Sequence, residues 1–314
     1  MRGFSVSCGI VDVRTVVAYV AMCSIWGTTW LAIKIGLQTL PPVTGAGLRF
    51  TVAGIFLWAL GRTVRAPRGE AAPWRVIVIL AATMFGGNYA LTYYAETGLA
   101  SGLVAVLFGT LPFFLFALGA LLLRERVGLV VIAGAAIALA GVATISIGPD
   151  VHGSLPYILA TLGAAALSAF ANVELKRFAA SDPFRTLPPA MLLSGVTMTV
   201  AGAAFEHPDW ARGTSLSSVA AVLYLAVLGS GIAFYLNHWL LQRLDAWVVG
   251  LSALVIPVFA VAVGALAGGE RFGARELLGA ALVAFGMWLA LVAPRSLVKA
   301  KPAQDSPRPA TRWS

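Results

Sequence analysis

Ten apolar runs, each close to the length that crosses a lipid bilayer, dominate the pattern of hydrophobic and polar positions. A helix needs about 20 apolar residues to cross ~30 Å of hydrocarbon. Short polar loops separate the runs, so the pattern predicts an all-α membrane protein with ten transmembrane helices and no soluble domain. The runs span residues 15–37, 44–61, 75–94, 99–123, 128–147, 154–175, 186–205, 216–241, 246–268 and 275–293.

Two segments of the chain are copies of one another. Residues 112–141 and 257–286 align without a gap at an offset of 145, and 13 of the 30 positions are identical. An earlier match, at an offset of 142, pairs Lys34 with Lys176 and Pro41 with Pro183. The matches extend over most of each half of the chain, which indicates an internal duplication.

The duplication sets the predicted topology. Each copy belongs to a row of five apolar runs, and an odd number of crossings makes two consecutive copies insert in opposite orientations. The sequence therefore predicts two inverted five-helix repeats, over residues 15–148 and 154–293. A short N-terminal segment, 1–14, precedes them, and a basic disordered tail, 294–314, follows. Inverted repeats of this kind are typical of alternating-access transporters.

Composition and charge agree with a location in lipid. Hydrophobic residues make up 59% of the chain and charged residues 11%, against about 25% charged residues in soluble domains. With the N-terminus in the cytoplasm, 17 of the 22 lysines and arginines lie on the cytoplasmic side and three on the opposite side, while Lys34 and Arg49 lie within spans. This bias predicts a multi-pass protein of the plasma (inner) membrane with both termini in the cytoplasm. The bilayer, and not nucleic acid, is then the partner of the basic residues, and a homodimer is left open.

Two prolines are the first candidates for a substrate site. Pro112 and Pro257 occupy matching places in the two copies. A proline inside a helix leaves the carbonyl four residues earlier without its partner, here the carbonyls of Phe108 and Ala253. Such breaks persist in lipid where the freed carbonyl faces protein or a water-filled cavity. The alternative is a kink that serves packing only.

Aromatic and polar side chains share one face of the third and eighth runs. These side chains are Asn88, Tyr89 and Tyr93 in the third run and Ser230, Phe234 and His238 in the eighth. Because the copies are inverted, the two sets lie in opposite leaflets, where each can close one gate of a central cavity. The alternatives are an interfacial aromatic belt and, for His238, either a proton-coupling group or a merely hydrogen-bonded histidine.

Two residues of the first run complete the candidate substrate site. Trp26 lies near the middle of the run, where it can form a stacking wall for an aromatic or cationic substrate or can simply pack. Lys34 can attract an anionic substrate group or pair with Glu96. The alternative for Lys34 is that its ammonium extends to the lipid headgroups.

Residues that would support catalysis are sparse. The sequence has no nucleophile–base–acid set, no paired carboxylates at one depth and no Cys/His ligand spacing. Of the three histidines, His152 and His207 are loop residues, and Cys8 and Cys23 are too close in sequence for a disulfide framework. We therefore predict that the protein is not an enzyme and has no catalytic residue, no metal site and no cofactor.

Several short motifs are shared with a known family. They are Trp26-Gly27 and Lys34-Ile35-Gly36 in the first run, Leu48-Arg49-Phe50 in the second, and Pro112 with Leu123-Arg124-Glu125-Arg126 in the fourth. In these motifs the chain resembles the ten-helix EamA group of the drug/metabolite transporter superfamily. The resemblance implies two inverted five-helix repeats around a cavity lined by helices 1, 3, 4, 6, 8 and 9, commonly used for export. The first run lacks the buried carboxylate that small multidrug members of the superfamily use for proton exchange.

These observations favour a permease for a small-molecule substrate. We predict that it moves an amino acid or a related compound, and the resemblance implies outward movement by alternating access. A passive channel or a lipid scramblase is the alternative, and an intramembrane enzyme is a more distant one. No run carries a ring-forming filter sequence or repeated charges, which argues against a channel.

Overall fold

The computed structural model describes residues 12–64, 69–99, 101–125, 127–146, 155–256 and 274–292. Within these ranges the chain is helical and contains no strand, and helix is present in each of the ten predicted apolar runs. The helices are α1 (Val13–Gly36), α2 (Pro42–Thr63), α3 (Trp74–Gly98), α4 (Ser101–Phe108 followed by Leu111–Leu123), α5 (Leu129–Ser146), α6 (Leu155–Arg177), α7 (Pro183–Phe205), α8 (Leu216–Leu241), α9 (Ala246–Ile256) and α10 (Ala274–Val292).

The lengths and surfaces of these helices suit a bilayer. Six of them, α1, α2, α3, α6, α7 and α8, are long and apolar enough to cross a membrane, and shorter apolar helices lie within α4, α5, α9 and α10. Large apolar side chains point outward from the bundle, including Leu129 at 83% exposure and Leu216 at 86%. Water solvates such side chains poorly, whereas lipid solvates them well. The fold is therefore that of a multi-pass, all-helical membrane protein.

Local sequence sets where the helices begin. Asp182 accepts a hydrogen bond from the backbone N–H two residues later at 2.8 Å, and Pro183 occupies the first position of α7, where no helical hydrogen bond is lost. The start of α2 is capped by Glu206, which follows α7. Its carboxylate accepts from the backbone N–H groups of Val43 and Thr44 at 2.9 and 2.8 Å. This carboxylate also opposes the positive end of the α2 dipole.

A similar carboxylate connects α4 to α9. The chain leaves α4 through Arg124, whose φ of 57° lies in the left-handed region. Glu125 then accepts a hydrogen bond from the backbone N–H of Ala246, at the start of α9, at 3.3 Å. Burial raises the pKa of the Glu125 carboxyl, and the nearby Asp245 carboxylate raises it further. The first half of the chain thus holds the start of a helix in the second half.

Both α3 and α8 widen into a π-helical stretch at matching places. The stretches are Ala81–Gly87 and Leu225–Ile232, and the first corresponds to residues 226–232 at the offset of 145. In both, the N–H that follows the stretch donates to the carbonyl five residues earlier. Stretches of this kind often occur at functional sites. Each stretch here ends two residues before a predicted site residue, Tyr89 in α3 and Phe234 in α8.

Corresponding helices of the two halves pack in antiparallel pairs. In the α5–α10 pair, a Cβ placed on Gly134 would lie 2.6 Å from the carbonyl oxygen of Gly286, and one on Gly141 would lie 2.7 Å from that of Gly279. Only glycine permits so close an approach. Gly134 corresponds to Gly279 and Gly141 to Gly286, so the two contacts exchange under the offset of 145. A local twofold axis produces this pattern.

The α2–α7 pair follows the same rule. A Cβ on Gly47 would lie 2.4 Å from the backbone nitrogen of Thr199, and one on Gly195 would lie 2.3 Å from that of Thr51. Residue numbers rise along α2 as they fall along α7, so this pair is also antiparallel. Small residues bring the two backbones together.

Helix α4 is broken in the turn that precedes its proline. The first piece ends at Phe108 and the second begins at Leu111, so Pro112 occupies the second position of a new helix. The first N–H groups of a helix have no intrahelical partner, so the missing N–H costs no hydrogen bond there. The break thus lies where a proline within a helical run is expected to end a helix, and the exposure of the Phe108 carbonyl to a cavity stays a prediction. The counterpart of Pro112, Pro257, lies outside the described residues.

A lysine on α1 caps the end of α3. The ammonium of Lys34 donates to the carbonyl oxygens of Glu96 and Leu99 at 2.6 and 3.4 Å. The last carbonyls of a helix lack intrahelical donors, and a cation there also meets the negative end of the helix dipole. The ammonium is therefore committed to the backbone of α3 and not to the Glu96 carboxylate.

The second half repeats this cap. Lys176 on α6 donates to the carbonyl oxygens of Leu241 and Leu244, at the end of α8, at 2.7 and 2.6 Å. Leu241 and Leu244 correspond to Glu96 and Leu99 at the offset of 145. Since α1 packs mainly against α8 and α3 mainly against α6, each lysine ties together two packing units. We call these contacts the lysine ties.

Replacing Gly134 by alanine is expected to lower the free energy of unfolding in detergent by about 1–3 kcal/mol, because the added methyl group overpacks α5 against α10. The shift in the thermal unfolding midpoint measures this loss. Gly128→Ala is the matched control, since a Cβ there meets nothing within 4 Å. Equal midpoints for the two variants would contradict the close packing of this pair.

Replacing Lys34 by methionine should leave two carbonyl oxygens at the end of α3 without their donor, at a cost of about 1.5–3 kcal/mol for a charged hydrogen bond. Lys176→Met is expected to cost a similar amount at α8, because the geometry is the same. Denaturant unfolding of the purified protein provides the measurement. The control is Arg62→Met, since the Arg62 guanidinium stacks on Trp58 at 3.5 Å within α2. A loss at one lysine only would show that the two ties are not equivalent.

Candidate functional site

A cavity of about 80 Å³ lies between the two halves of the chain. Its wall is built from residues of α1, α3 and α4 in the first half and α6, α8 and α9 in the second. These are the six helices that the family resemblance implies. A molecule held in the cavity would therefore contact both halves at once.

Five aromatic rings line the cavity. This aromatic wall consists of Trp26, Trp30, Tyr89, Phe108 and Phe234. The ring centroids of Trp26 and Phe234 are 5.5 Å apart, and those of Trp30 and Phe108 are 5.7 Å apart, both edge to face. The indole N–H of Trp26 donates to the carbonyl of Gly229 at 3.2 Å. The rings are thus held by one another and by α8, which leaves apolar faces toward the cavity.

Small polar side chains from the second half also line the cavity. This polar wall consists of Ser168 and Asn172 from α6, Asn237 from α8 and Ser252 from α9. The amide of Asn237 donates to the side-chain oxygen of Asn172 at 2.9 Å, and the amide of Asn172 donates to the carbonyl of Ser168 at 2.8 Å. The two asparagines are therefore oriented by the protein, and each amide retains capacity for a further hydrogen bond.

The two walls come from corresponding positions of the duplication. At the offset of 142, Trp26 and Trp30 correspond to Ser168 and Asn172. At the offset of 145, Tyr89 corresponds to Phe234 and Phe108 to Ala253, which also lines the cavity. One scaffold thus presents rings from α1 and α4, and small or polar groups from α6 and α9. The chemistry of the cavity is asymmetric although its framework is repeated.

No charged side chain belongs to this wall in the part of the chain that the structure describes. A charged cluster lies directly behind it. Arg49 on α2 is fully buried, and its guanidinium stacks on the ring of Tyr89 at 4.6 Å from the centroid. Over the described ranges, groups of three or more His, Cys, Asp or Glu that could hold a metal ion are absent. The cavity can bind through stacking, apolar contact and hydrogen bonds.

Half of the predicted site residues line the cavity. These are Trp26, Asn88, Tyr89, Phe108, Phe234 and Ala253. Phe108 packs its ring edge to face on that of Trp30. Five others are not among the lining residues, namely Lys34, Tyr93, Pro112, Ser230 and His238. The twelfth, Pro257, lies outside the described ranges.

The residues that miss the cavity have other contacts. Lys34 forms a lysine tie. Tyr93 is buried and packs against Ile33, which is 2% exposed. The hydroxyl of Ser230 accepts a hydrogen bond from Nε of Arg49 at 2.7 Å. His238 is fully buried, with Nε2 3.3 Å from the carbonyl oxygen of Ala179. Helical spacing alone does not distinguish a face turned toward the cavity from the one beside it.

Sequence reasoning missed several lining residues. They are Thr29, Trp30, Thr92, Ser168, Asn172, Asn237 and Ser252, with apolar residues of α1, α4 and α9. The duplication carried a usable signal, because Asn172 lies at the position of Trp30 in the second half. A polar residue in a membrane helix at a position that is aromatic in the other copy is a candidate for the wall.

Comparisons with known proteins agree with this arrangement. The model of the EamA-like transporter family matches residues 14–147 and again 155–292. Protein PagO of Salmonella typhimurium is 30% identical over 278 residues, covering 85% of this chain and 90% of its own. The uncharacterized inner membrane transporter YedA of Escherichia coli K12 is 31% identical over 299 residues, covering 91% and 92%. A further relative in Salmonella typhimurium, 27% identical over 282 residues, covering 84% and 90%, is named a probable amino-acid metabolite efflux pump.

A solved crystal structure shares the fold. It superposes with a TM-score of 0.76 at 23% identity, covering 91% of this chain and 99% of its own. At that identity the likeness concerns the fold alone. The family model matches both halves of the chain and the relatives extend over nearly all of it, so the chain belongs to the EamA-like transporter family and is a membrane transporter.

Proposed function

We propose that this transporter exports a small metabolite of the amino-acid class by alternating access. The observation that carries the proposal is the cavity shared by corresponding helices of the two halves, which is lined by the aromatic wall and the polar wall together. Two relatives, from Salmonella typhimurium and Escherichia coli K12, are named probable amino-acid metabolite efflux pumps. Their names support both the substrate class and the outward direction.

The layout that we propose is ten membrane helices in two inverted five-helix repeats. The antiparallel pairs α2–α7 and α5–α10 support it, because corresponding helices that run in opposite directions imply halves of opposite orientation. The matching π-helical stretches support the same correspondence. The charge bias of the loops supports cytoplasmic termini.

The lysine ties suggest how access alternates. In an inverted pair, the Lys34 tie lies toward the outside and the Lys176 tie toward the cytoplasm. Each joins the unit containing α1 and α8 to the unit containing α3 and α6. Opening one side would break one tie while the other holds. Both ties are formed in this structure, which is the arrangement expected of an occluded state.

The wall chemistry favours a neutral or zwitterionic substrate. A net charge would be costly in a cavity without a charged partner. An ammonium group can rest against aromatic faces, while a carboxylate can accept hydrogen bonds from Asn172 or Asn237. An amino acid carries both groups within a few ångströms. A channel or a scramblase would not need a cavity built from both halves in this way.

Transport by the purified protein tests the proposal. Proteoliposomes loaded with a panel of amino acids should release at least one of them saturably, and Asn172→Leu or Trp26→Ala should lower that rate about tenfold, since each removes a contact of about 1.4 kcal/mol. The matched control is Tyr94→Ala, because Tyr94 is 44% exposed and packs on Tyr157 away from the cavity. Non-saturable release would indicate a channel, and loss of transport in all three variants would contradict a cavity site.

A further inference from the structure

Glu96 on α3 is a buried carboxylate without a hydrogen-bond partner. The residue is 0% exposed, and neither carboxylate oxygen has a partner. An ionised carboxylate is costly in such surroundings unless a cation or several donors hold it. Ionisable residues within membrane segments are usually functional for this reason. The Glu96 side chain does not line the cavity. The Lys34 tie involves only the backbone carbonyl of Glu96 and not its carboxyl group.

Two cations lie near Glu96, but both are engaged elsewhere. Lys34, from α1, donates to backbone carbonyls of α3. Arg49, from α2, donates through Nε to Ser230 at 2.7 Å and through Nη2 to the carbonyl of Gly229 at 3.2 Å, both on α8. Its Nη1 has no partner. A buried donor and a buried acceptor, both unsatisfied, thus lie in one cluster without bonding to each other.

The remaining titratable groups around this cluster are tyrosines. Tyr89 and Tyr93 belong to α3 itself, Tyr224 comes from α8 and Tyr157 from α6. The part of α4 that packs here, Ser101–Phe108, has no titratable residue, and neither does α7 beyond Thr186. Among described residues, the ion pair within 4.0 Å joins Glu174 to Arg177 on α6 and does not involve this cluster.

The second half provides an internal comparison. Lys176 makes the same pair of carbonyl bonds there, while the positions of Arg49 and Glu96 are held by Met191 and Leu241, both buried. The lysine tie therefore requires neither the carboxylate nor the guanidinium. The fold also accommodates apolar side chains at both positions. Only the first half has an arginine and a glutamate at these two positions. This difference indicates that they have a role beyond packing.

The cluster is connected to the cavity through α3. Thr92, one turn before Glu96, lines the cavity, and so does Tyr89, on whose ring the Arg49 guanidinium stacks. A movement of Arg49 away from α8 would change the surroundings of the Tyr89 ring. Events at Glu96 can therefore reach the binding wall within two helical turns.

We propose that Glu96 is a proton-binding site that couples proton movement to the conformational change of the transporter. In the conformation described, Arg49 is held by α8 and the Glu96 carboxyl group carries the proton on one oxygen. When α8 separates from α2, Arg49 is released and Nη1 pairs with the carboxylate. The O–H bond then breaks, the proton passes to water, and no other covalent bond changes. The return step takes a proton from water. This inference rests on the proposed transport function, but its test needs no substrate.

Infrared difference spectroscopy measures the proton directly. Full-length protein in lipid nanodiscs should show a carboxylic-acid C=O stretching band that disappears as the buffer is made alkaline. Glu96→Gln should remove this band while the thermal midpoint stays close to that of the unchanged protein. Glu174→Gln is the matched control, because that buried carboxylate already accepts from Arg177 at 2.8 Å. A band that survives Glu96→Gln unchanged would overturn the proposal.

Reactivity of a cavity cysteine measures the coupling. Ser168→Cys, in a background with Cys8 and Cys23 replaced, is treated with N-ethylmaleimide at acidic and alkaline pH. At each pH the reaction rate with Glu96→Gln is divided by the rate without it. This ratio should differ about tenfold between acidic and alkaline pH, because a proton that prefers one state tenfold shifts the equilibrium by that factor. The ratio for Glu174→Gln should stay constant. A constant ratio for Glu96→Gln would contradict the coupling, whereas absence of saturable amino-acid release would contradict only the proposed function.

Discussion

A bundle in lipid has to satisfy its buried polar groups from within the protein, and this constraint shapes most of what is specific to the fold. Hydrocarbon supplies no hydrogen bonds, so helix ends, broken helices and charged side chains need partners in the chain itself. The carboxylates of Glu125 and Glu206 cap the starts of distant helices. Lys34 and Lys176 cap the ends of two others. Each of these bonds joins elements far apart in sequence, so satisfying the backbone also assembles the bundle.

The same constraint explains how a duplicated scaffold acquires different chemistry in its two halves. Features that close the backbone recur in both copies, including the lysine ties, the π-helical stretches and the facing glycines of α5 and α10. Features that face the cavity have diverged. When the two copies are aligned, Trp30 corresponds to Asn172 and Phe108 corresponds to Ala253. Packing restricts the first group tightly. The second group faces the cavity and does not pack against the other half in the same way, so the two copies can change independently.

The first half also carries a buried arginine and glutamate that the second half lacks. Arg49 connects the two halves, because its guanidinium is fully buried and is hydrogen-bonded to α8 across the interface between them. An arginine held by a hydroxyl and a carbonyl, with one nitrogen left without a partner, is less stable than one paired with a carboxylate. Glu96 in the same cluster could provide that pairing, and a cluster with two arrangements would suit the alternating access that we propose.

Much of this could be predicted from the sequence, and the remainder required contacts. The lengths of the apolar runs predicted the helices, because helix formation in lipid depends on local composition. Identical residues at the offset of 145 predicted the duplication. Trp26, Tyr89 and Phe234 were identified because large rings within membrane helices stand out. The role of Lys34 was not predicted, since the acceptors of its ammonium are backbone carbonyls more than 60 residues away, which no sequence pattern displays. The break at residues 109–110 does have a sequence signal, because a proline within a helical run ends a helix just before itself.

The central claim is that the two lysine ties close opposite ends of one cavity. Spin labels at Gln38 and Thr97 report on the Lys34 tie, and labels at the corresponding exposed positions, Ala180 and Gln242, report on the Lys176 tie. Pulsed electron paramagnetic resonance gives both distances in nanodiscs. Lys34→Met should lengthen the first distance and leave the second short, and Lys176→Met should do the reverse. Distances that lengthen together, or that do not respond to either substitution, would contradict the account.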